Sequence, residues 1–280
     1  MSVAEVVEQL IESPWEAEDL LEPLSSADRA AVREQLLTLA EEDPSTDVMQ
    51  VLGHFPDAEV LAVLKQVLRS DADEDVQEGA ADGIAEMKAL PEAMAALREL
   101  IDHEIDGVAT RAIENLEDEQ DALVELLLSR IDAIAERGDD LLMAAVIARL
   151  VAATPTSEDV VAALARHWDF AIIHSTTYFA ANAIFDALID HAPTSETTQA
   201  AFVAAVAHED EYAKVRGHGA LALTTDEITK HVTALNKMKG LRPSGSQLRK
   251  NALQKLVKTR RAALEKLANA GDKVAAKLLK

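Results

Sequence analysis

Apolar residues recur at spacings of three and four along this chain, and polar residues fill the positions between them. That period is helical, because side chains at i, i+3, i+4 and i+7 share one face of a 3.6-residue turn. Caps and prolines mark the helix starts. Ser25 or Ser26 precedes ADRAAVREQLLTLAEED, Pro56-Asp57 opens AEVLAVLKQVLRS, and Pro91 opens EAMAALRELID. Thr156-Ser157 precedes EDVVAALARHW, and Thr194-Ser195 precedes ETTQAAFVAAVAH. No alternating run reads as a strand, and Asp82-Gly83 and Asp106-Gly107 lie in helical surroundings.

One row repeats within this pattern: Val76, Ala80, Ile84; then Val108, Ala112, Leu116; then Val215, Gly219, Leu223. A fainter copy, TDVMQVLGHF, carries Val48 and Leu52. Spacing of four keeps each row on one helix face. The small middle residue is expected to admit a neighbouring helix, with larger residues filling the space on either side, so these nine positions are read as structural stacking residues. Each full copy follows another amphipathic helix, giving the pairs 57–70 with 74–87, 91–103 with 106–117, and 195–207 with 212–223. The first two rows are offset by 32 residues. A helix pair repeated at such a period predicts an all-α fold, an α-α superhelix of stacked antiparallel pairs. Residues 119–192 read either as lengthened units of the same stack or as a separate helical domain. Gly, Pro and Ser concentrate in KGLRPSGS, which places a boundary at 240/241. Beyond it the chain reads as one amphipathic basic helix and a short last one, with a turn at Gly271.

The unit PDAEVLAVLKQVLRSDADEDVQEGAADGIAEM, 56–87, resembles a HEAT repeat. Pro56, Leu61, Leu64, Leu68, Asp71, Asp73, Val76, Ala80, Ala81 and Ile84 fit that family's pattern, as do Pro91, Leu97, Leu100, Val108, Ala112 and Leu116 in the next unit. Val215-Arg216 and Ala220 fit a third. The resemblance covers about 46–118 and 195–224 and implies a HEAT-like solenoid; with the boundary above, that solenoid is expected over 1–240 and a basic helical extension over 241–280.

Charge divides the chain more sharply than periodicity does. Residues 1–228 hold 13 Lys+Arg against 48 Asp+Glu, while 229–280 hold 14 against 2. Such asymmetry predicts different electrostatic tasks for the two regions. Aromatics are only 3%, and the lack of cysteine excludes disulfides, thiolate zinc sites and cysteine nucleophiles. The acidic start MSVAEVVEQLIE does not read as a signal or transit peptide. No apolar run is long enough for a membrane span. A cytoplasmic protein with no membrane contact is expected.

Four stretches carry residue types suited to chemistry. His103-Glu104 and His208-Glu209 are metal-ligand types, and the HEAT-like deoxyhypusine hydroxylases bind iron through His-Glu pairs. That family places the pair inside the second helix, where this chain has Thr110-Arg111 and Gly217-His218, so the motif does not carry over; turn residues at helix ends are expected. Asp71, Asp73 and Asp75 have calcium-loop spacing, but Val76 and Asp82 stand where glycine and a bidentate Glu belong, so an acidic inter-helix turn is expected. In RHWDFAIIHSTTYFAANAIF, 166–185, Trp168, Asp169, Phe170, His174 and Tyr178 are either a thickened core or a partner-binding patch. The basic tail, with Lys250, Lys255, Lys258, Arg260 and Arg261, could cap the stack against acidic neighbours, contact nucleic acid weakly, or bind an acidic protein. Its stripe of Leu248, Leu253, Leu256, Val257, Leu264 and Leu267 says it docks on something.

No phosphate-binding glycine loop, nucleophile elbow or cofactor motif is present. The expected function is therefore a non-enzymatic adaptor, regulator or inhibitor whose acidic surface binds a basic protein. The alternatives are a HEAT-like enzyme, of the alkylpurine DNA glycosylase or bilin lyase type, and nucleic-acid binding through the tail.

Overall fold

The computed structural model describes residues 1–117, 120–173, 178–238 and 241–280, with only the helical backbone described for 170–173. These residues form α-helices and one 3-10 turn, with no strand among them. The chain divides into two compact units, Met1–Leu123 and Val124–Lys280.

The first unit begins with α1 (Val3–Glu12), closed by a capping box between Ser2 and Glu5. A 3-10 turn, Pro14–Glu16, leads into α2 (Ala17–Leu21). Then come α3 (Ser26–Glu42), α4 (Thr46–Leu52), α5 (Ala58–Val67), α6 (Glu74–Glu86), α7 (Pro91–Leu100) and α8 (Asp106–Asn115). Ser25, Ser45 and Asp57 accept backbone N–H bonds at the starts of α3, α4 and α5, satisfying donors that a helix end leaves open. Arg33 on α3 grips the Asp57 cap through two nitrogens, at 2.6 and 3.0 Å, which ties one first helix to the next. The second helices α4, α6 and α8 pack in succession, with α3, α5 and α7 packed against them.

The closest helix approach in this unit differs from the one the repeating row suggests. Ala80 and Ile84 are buried and Val76 is half-buried, yet α6 meets α4 through Gly79 and Gly83, one position earlier in each case. A Cβ on Gly83 would lie 2.3 Å from the Met49 carbonyl, and one on Gly79 would lie 2.7 Å from that of Thr46. The helices approach to backbone contact, and only glycine permits it.

The division between units falls within α9 (Gln120–Arg137). The second unit continues with α10 (Asp140–Ala153), α11 (Glu158–Ile173), α12 (Phe179–His191), α13 (Glu196–Ala207), α14 (Glu211–Thr224), α15 (Ile228–Lys237), α16 (Pro243–Thr259), α17 (Arg261–Asn269) and α18 (Lys273–Leu278). Here α10, α12, α14 and α16 form one row, with α11 and α13 in the other. The row Val215–Gly219–Leu223 lies on α14, with Val215 and Gly219 buried and Leu223 half-buried. Gly219 faces α16, where its Cβ would sit 3.1 Å from that of Ala252, and Gly217 lies against the backbone of α13.

The region after 241 holds three helices rather than the two read from sequence. The long amphipathic run breaks at Arg260, whose backbone leaves the helical region while its guanidinium donates to the carbonyls of Leu223 and Thr225, 2.6 and 3.3 Å away. The break turns Leu264 back onto the same core as Leu256, with Ala222, Ile228, Val232 and Ala275. The expected turn at Gly271 is present, with φ +93°.

Candidate functional site

A ladder of polar side chains links successive second helices. In the first unit Gln50 on α4 donates to Asp82 on α6 at 3.0 Å, and Arg111 on α8 lies 3.6 Å from the other oxygen of Asp82 and 4.0 Å from Glu78. Burial pushes the Asp82 and Glu78 carboxyls above their usual range, while Arg111 pulls both back. In the second unit Arg216 on α14 donates to the Asn182 carbonyl at 3.0 Å and pairs with Asp186 on α12 at 3.2 Å. Its guanidinium lies over the Phe185 ring, 5.2 Å from the centroid. Lys255 on α16 then reaches Asp186 and Asp190, at 3.6 and 3.3 Å. The sequence reading singled out the valines of these helices and missed Arg111 as a partner; its place on the same face of α8 as Val108 was the available signal.

The ladder of the first unit borders a groove of about 530 Å³ on the face of α4, α6 and α8, closed at one side by the 3-10 turn and α2. Trp15, Glu18, Asp19, Asp82 and Glu86 line it, and no Lys or Arg does. Among the described residues, the Glu18, Asp19 and Glu86 carboxylates have no cation within ion-pair reach, so their charges face solvent. Nothing in the periodicity pointed to Trp15. The dipeptide Pro14-Trp15 between two acidic helices was the only hint.

The aromatic segment resolves into core and rim. Trp168 is 6% exposed and meets Phe185 edge to face, with centroids 5.9 Å apart; Phe185 stacks on Phe202 at 5.8 Å. Burial removes Trp168 from any exposed docking patch, a correction to the partner-binding alternative. Asp169 lies 2.9 Å from Nε2 of His208. Tyr178 is half-buried and stacks on Tyr212 at 3.9 Å. It precedes α12 with φ +60°, and Asp140 on α10 accepts from the N–H groups of Phe179 and Ala180, bonds a local cap would ordinarily take. His174 and the side chain of Phe170 lie outside the described residues.

The two His-Glu dipeptides make the same turn. In each, the histidine Nδ1 accepts from the backbone N–H two residues on, Ile105 for His103 and Asp210 for His208. That bond places the neutral ring's proton on Nε2. Nε2 of His103 lies 3.3 Å from the Leu68 carbonyl, and that of His208 lies 2.9 Å from an oxygen of Asp169. Among the described residues no three His, Cys, Asp or Glu side chains converge to hold a metal ion.

Several of the tail's charges are met inside its own unit. Lys255 and Arg260 have the partners given above, Arg261 pairs with Glu265 at 3.0 Å, and Lys250 and Lys258 are exposed. Arg249, which the sequence reading left out, donates to the carbonyls of Leu235 and Met238 at the end of α15. No helix among the described residues is long and apolar enough to cross a membrane.

Stacked helix pairs of this kind define an all-α repeat protein of the solenoid class. Residues 20–117 match the family model for HEAT repeats, in keeping with the stacked helix pairs of that stretch. The match begins upstream of the resemblance read from sequence and takes in α3 and α4, the pair holding the fainter copy of the row. No curated protein and no solved structure matches the chain.

Proposed function

We propose that this chain is a non-enzymatic protein-binding module, an adaptor, regulator or inhibitor, whose acidic first unit engages a basic partner. HEAT repeats are commonly scaffolds for protein interactions, and the match over 20–117 lies in that unit. The observation that carries the reading is the groove on α4, α6 and α8, lined by carboxylates and by no Lys or Arg. Residues 1–123 hold 7 Lys+Arg against 32 Asp+Glu, a balance of 7 − 32 = −25, so the field around the groove has the same sign as its lining. A surface of that sign speeds encounter with a cationic partner, makes association salt-dependent and repels polyanions.

The test is capture by the full-length protein from its native cell lysate in the presence of nuclease, followed by elution in steps of salt. The expected result is a stoichiometric basic protein, released by moderate salt and retained poorly by the Glu18→Gln/Asp19→Asn variant. Absence of any stoichiometric partner, or a partner indifferent to both salt and variant, overturns the reading.

A further inference from the structure

The groove contains more than charge. Trp15 is 79% exposed, whereas the other tryptophan, Trp168, is buried. The exposed indole does not sit on a loose segment: Pro14 fixes the start of the 3-10 turn, and Ala17 and Leu21 anchor the following helix in the core, at 0% and 2% exposure. A large aromatic face is thus held at the edge of a groove whose other walls carry Glu18, Asp19, Asp82 and Glu86.

We propose that this groove receives an extended segment of a protein partner and binds one of its arginine or lysine side chains, the cation lying over the Trp15 ring with the carboxylates around it. The proposal rests on the preceding reading of the first unit and makes it specific. The face of an indole is its negative pole, and a cation over it gains attraction that neutral side chains do not. Glu18, Asp19 and Glu86 supply exposed carboxylates that are in no ion pair within 4 Å among the described residues. Gln50 and Asn115 line the same groove; their amide nitrogens are engaged, with Asp82 and with the Arg111 carbonyl, which leaves their amide oxygens as acceptors for a peptide N–H or a guanidinium. A volume of about 530 Å³ accommodates a long side chain and its flanking backbone. Phosphate-bearing ligands are disfavoured by the carboxylates of the lining, Glu18, Asp19, Asp82 and Glu86.

The test is a titration of the full-length, ¹⁵N-labelled protein with a synthetic peptide of three arginines spaced by glycines, and with the same peptide carrying citrulline for arginine. Two indole N–H signals are expected, one for each tryptophan, and Trp15→Phe assigns them. The proposal expects a saturable shift of the Trp15 signal by the arginine peptide, little by the citrulline one, and an unmoved Trp168 signal. Trp15→Ala should weaken binding about fivefold, the equivalent of about 1 kcal/mol for a cation–π contact. Glu18→Gln/Asp19→Asn should weaken it and flatten its salt dependence. Shifts elsewhere in the first unit that are unchanged by Trp15→Ala overturn this site and leave the acidic-surface reading standing. No shift anywhere at millimolar peptide overturns both.

Discussion

Trp168 on α11 and Phe185 on α12 meet edge to face, 5.9 Å between centroids, and Phe185 stacks in turn on Phe202 of α13. Three successive helices of the second unit are therefore joined through one aromatic column. Removing the first ring leaves a cavity that helices held on both sides cannot close. Trp168→Ala should cost about 3–5 kcal/mol, read as a large fall in melting temperature. Trp15→Ala, at an exposed ring, should stay within about 0.5 kcal/mol of the parent. Equal effects at the two positions would contradict the packing described.

The glycines between α4 and α6 offer a second test. A methyl at Gly83 meets the Met49 carbonyl at 2.3 Å, and backbone cannot rotate aside. Gly83→Ala should destabilise by about 1–3 kcal/mol. At Gly245, in the first turn of α16, the nearest atom is the Leu241 Cβ at 3.6 Å, ordinary contact. Gly245→Ala should be neutral or stabilise by up to about 1 kcal/mol, since alanine loses less freedom in a helix. Urea denaturation of the two variants beside the parent decides the matter.

A histidine pair couples stability to pH. His218 on α14 and His231 on α15 approach Nδ1 to Nδ1 at 3.0 Å, an arrangement in which one ring donates and the other accepts. Burial holds both below the usual histidine range; their mutual proximity lowers His218 further, Lys230 lowers both, and Glu227, 3.7 Å from His231, opposes this for His231. A lowered folded value means the unfolded chain binds protons first. The stabilisation is complete above about pH 6.5, the unfolded value, and is lost as pH falls from there through the folded values. The urea midpoint of the parent should therefore fall between pH 7.5 and pH 5.5 by more than that of His218→Gln/His231→Gln. His167, also lowered by burial, contributes with the same sign in both proteins and cancels in the comparison.

The C-terminal helices should prove integral to the second unit. Leu256, Leu264 and Ala275 share a core with Ala222, Ile228 and Val232. A chain ending at 240 would expose that core, so it should unfold at lower denaturant than the full chain and aggregate more readily. Within the tail, Arg260→Ala removes the donor that serves the Leu223 and Thr225 carbonyls and should cost about 1–3 kcal/mol. Lys258→Ala, at an exposed position, should be close to neutral.

The period of four, the proline and serine helix starts and the absence of alternating runs were enough to read helix pairs at 57–70 with 74–87, 91–103 with 106–117 and 195–207 with 212–223. These are local properties, set by neighbours one turn apart. The cap at Asp57 and the turn at Gly271 were legible for the same reason. The His-Glu turns were expected at helix ends, but their shared bonding pattern was not, because one partner of each ring lies a helix away.

What needed tertiary structure was everything that depends on which face meets which neighbour. Ala80 and Gly79 differ by one position, about 100° of helix rotation, and periodicity alone did not say which of them touches α4. The break at Arg260 follows from carbonyls more than thirty residues earlier in the chain. Trp168 and Trp15 are one residue type in two environments, and only packing decides that one is core and the other is left at the edge of an acidic groove. Sequence thus determined the helices and their pairing, through contacts within a turn; the groove and the ladder were decided by contacts between helices, whose register the pattern of a single helix does not contain.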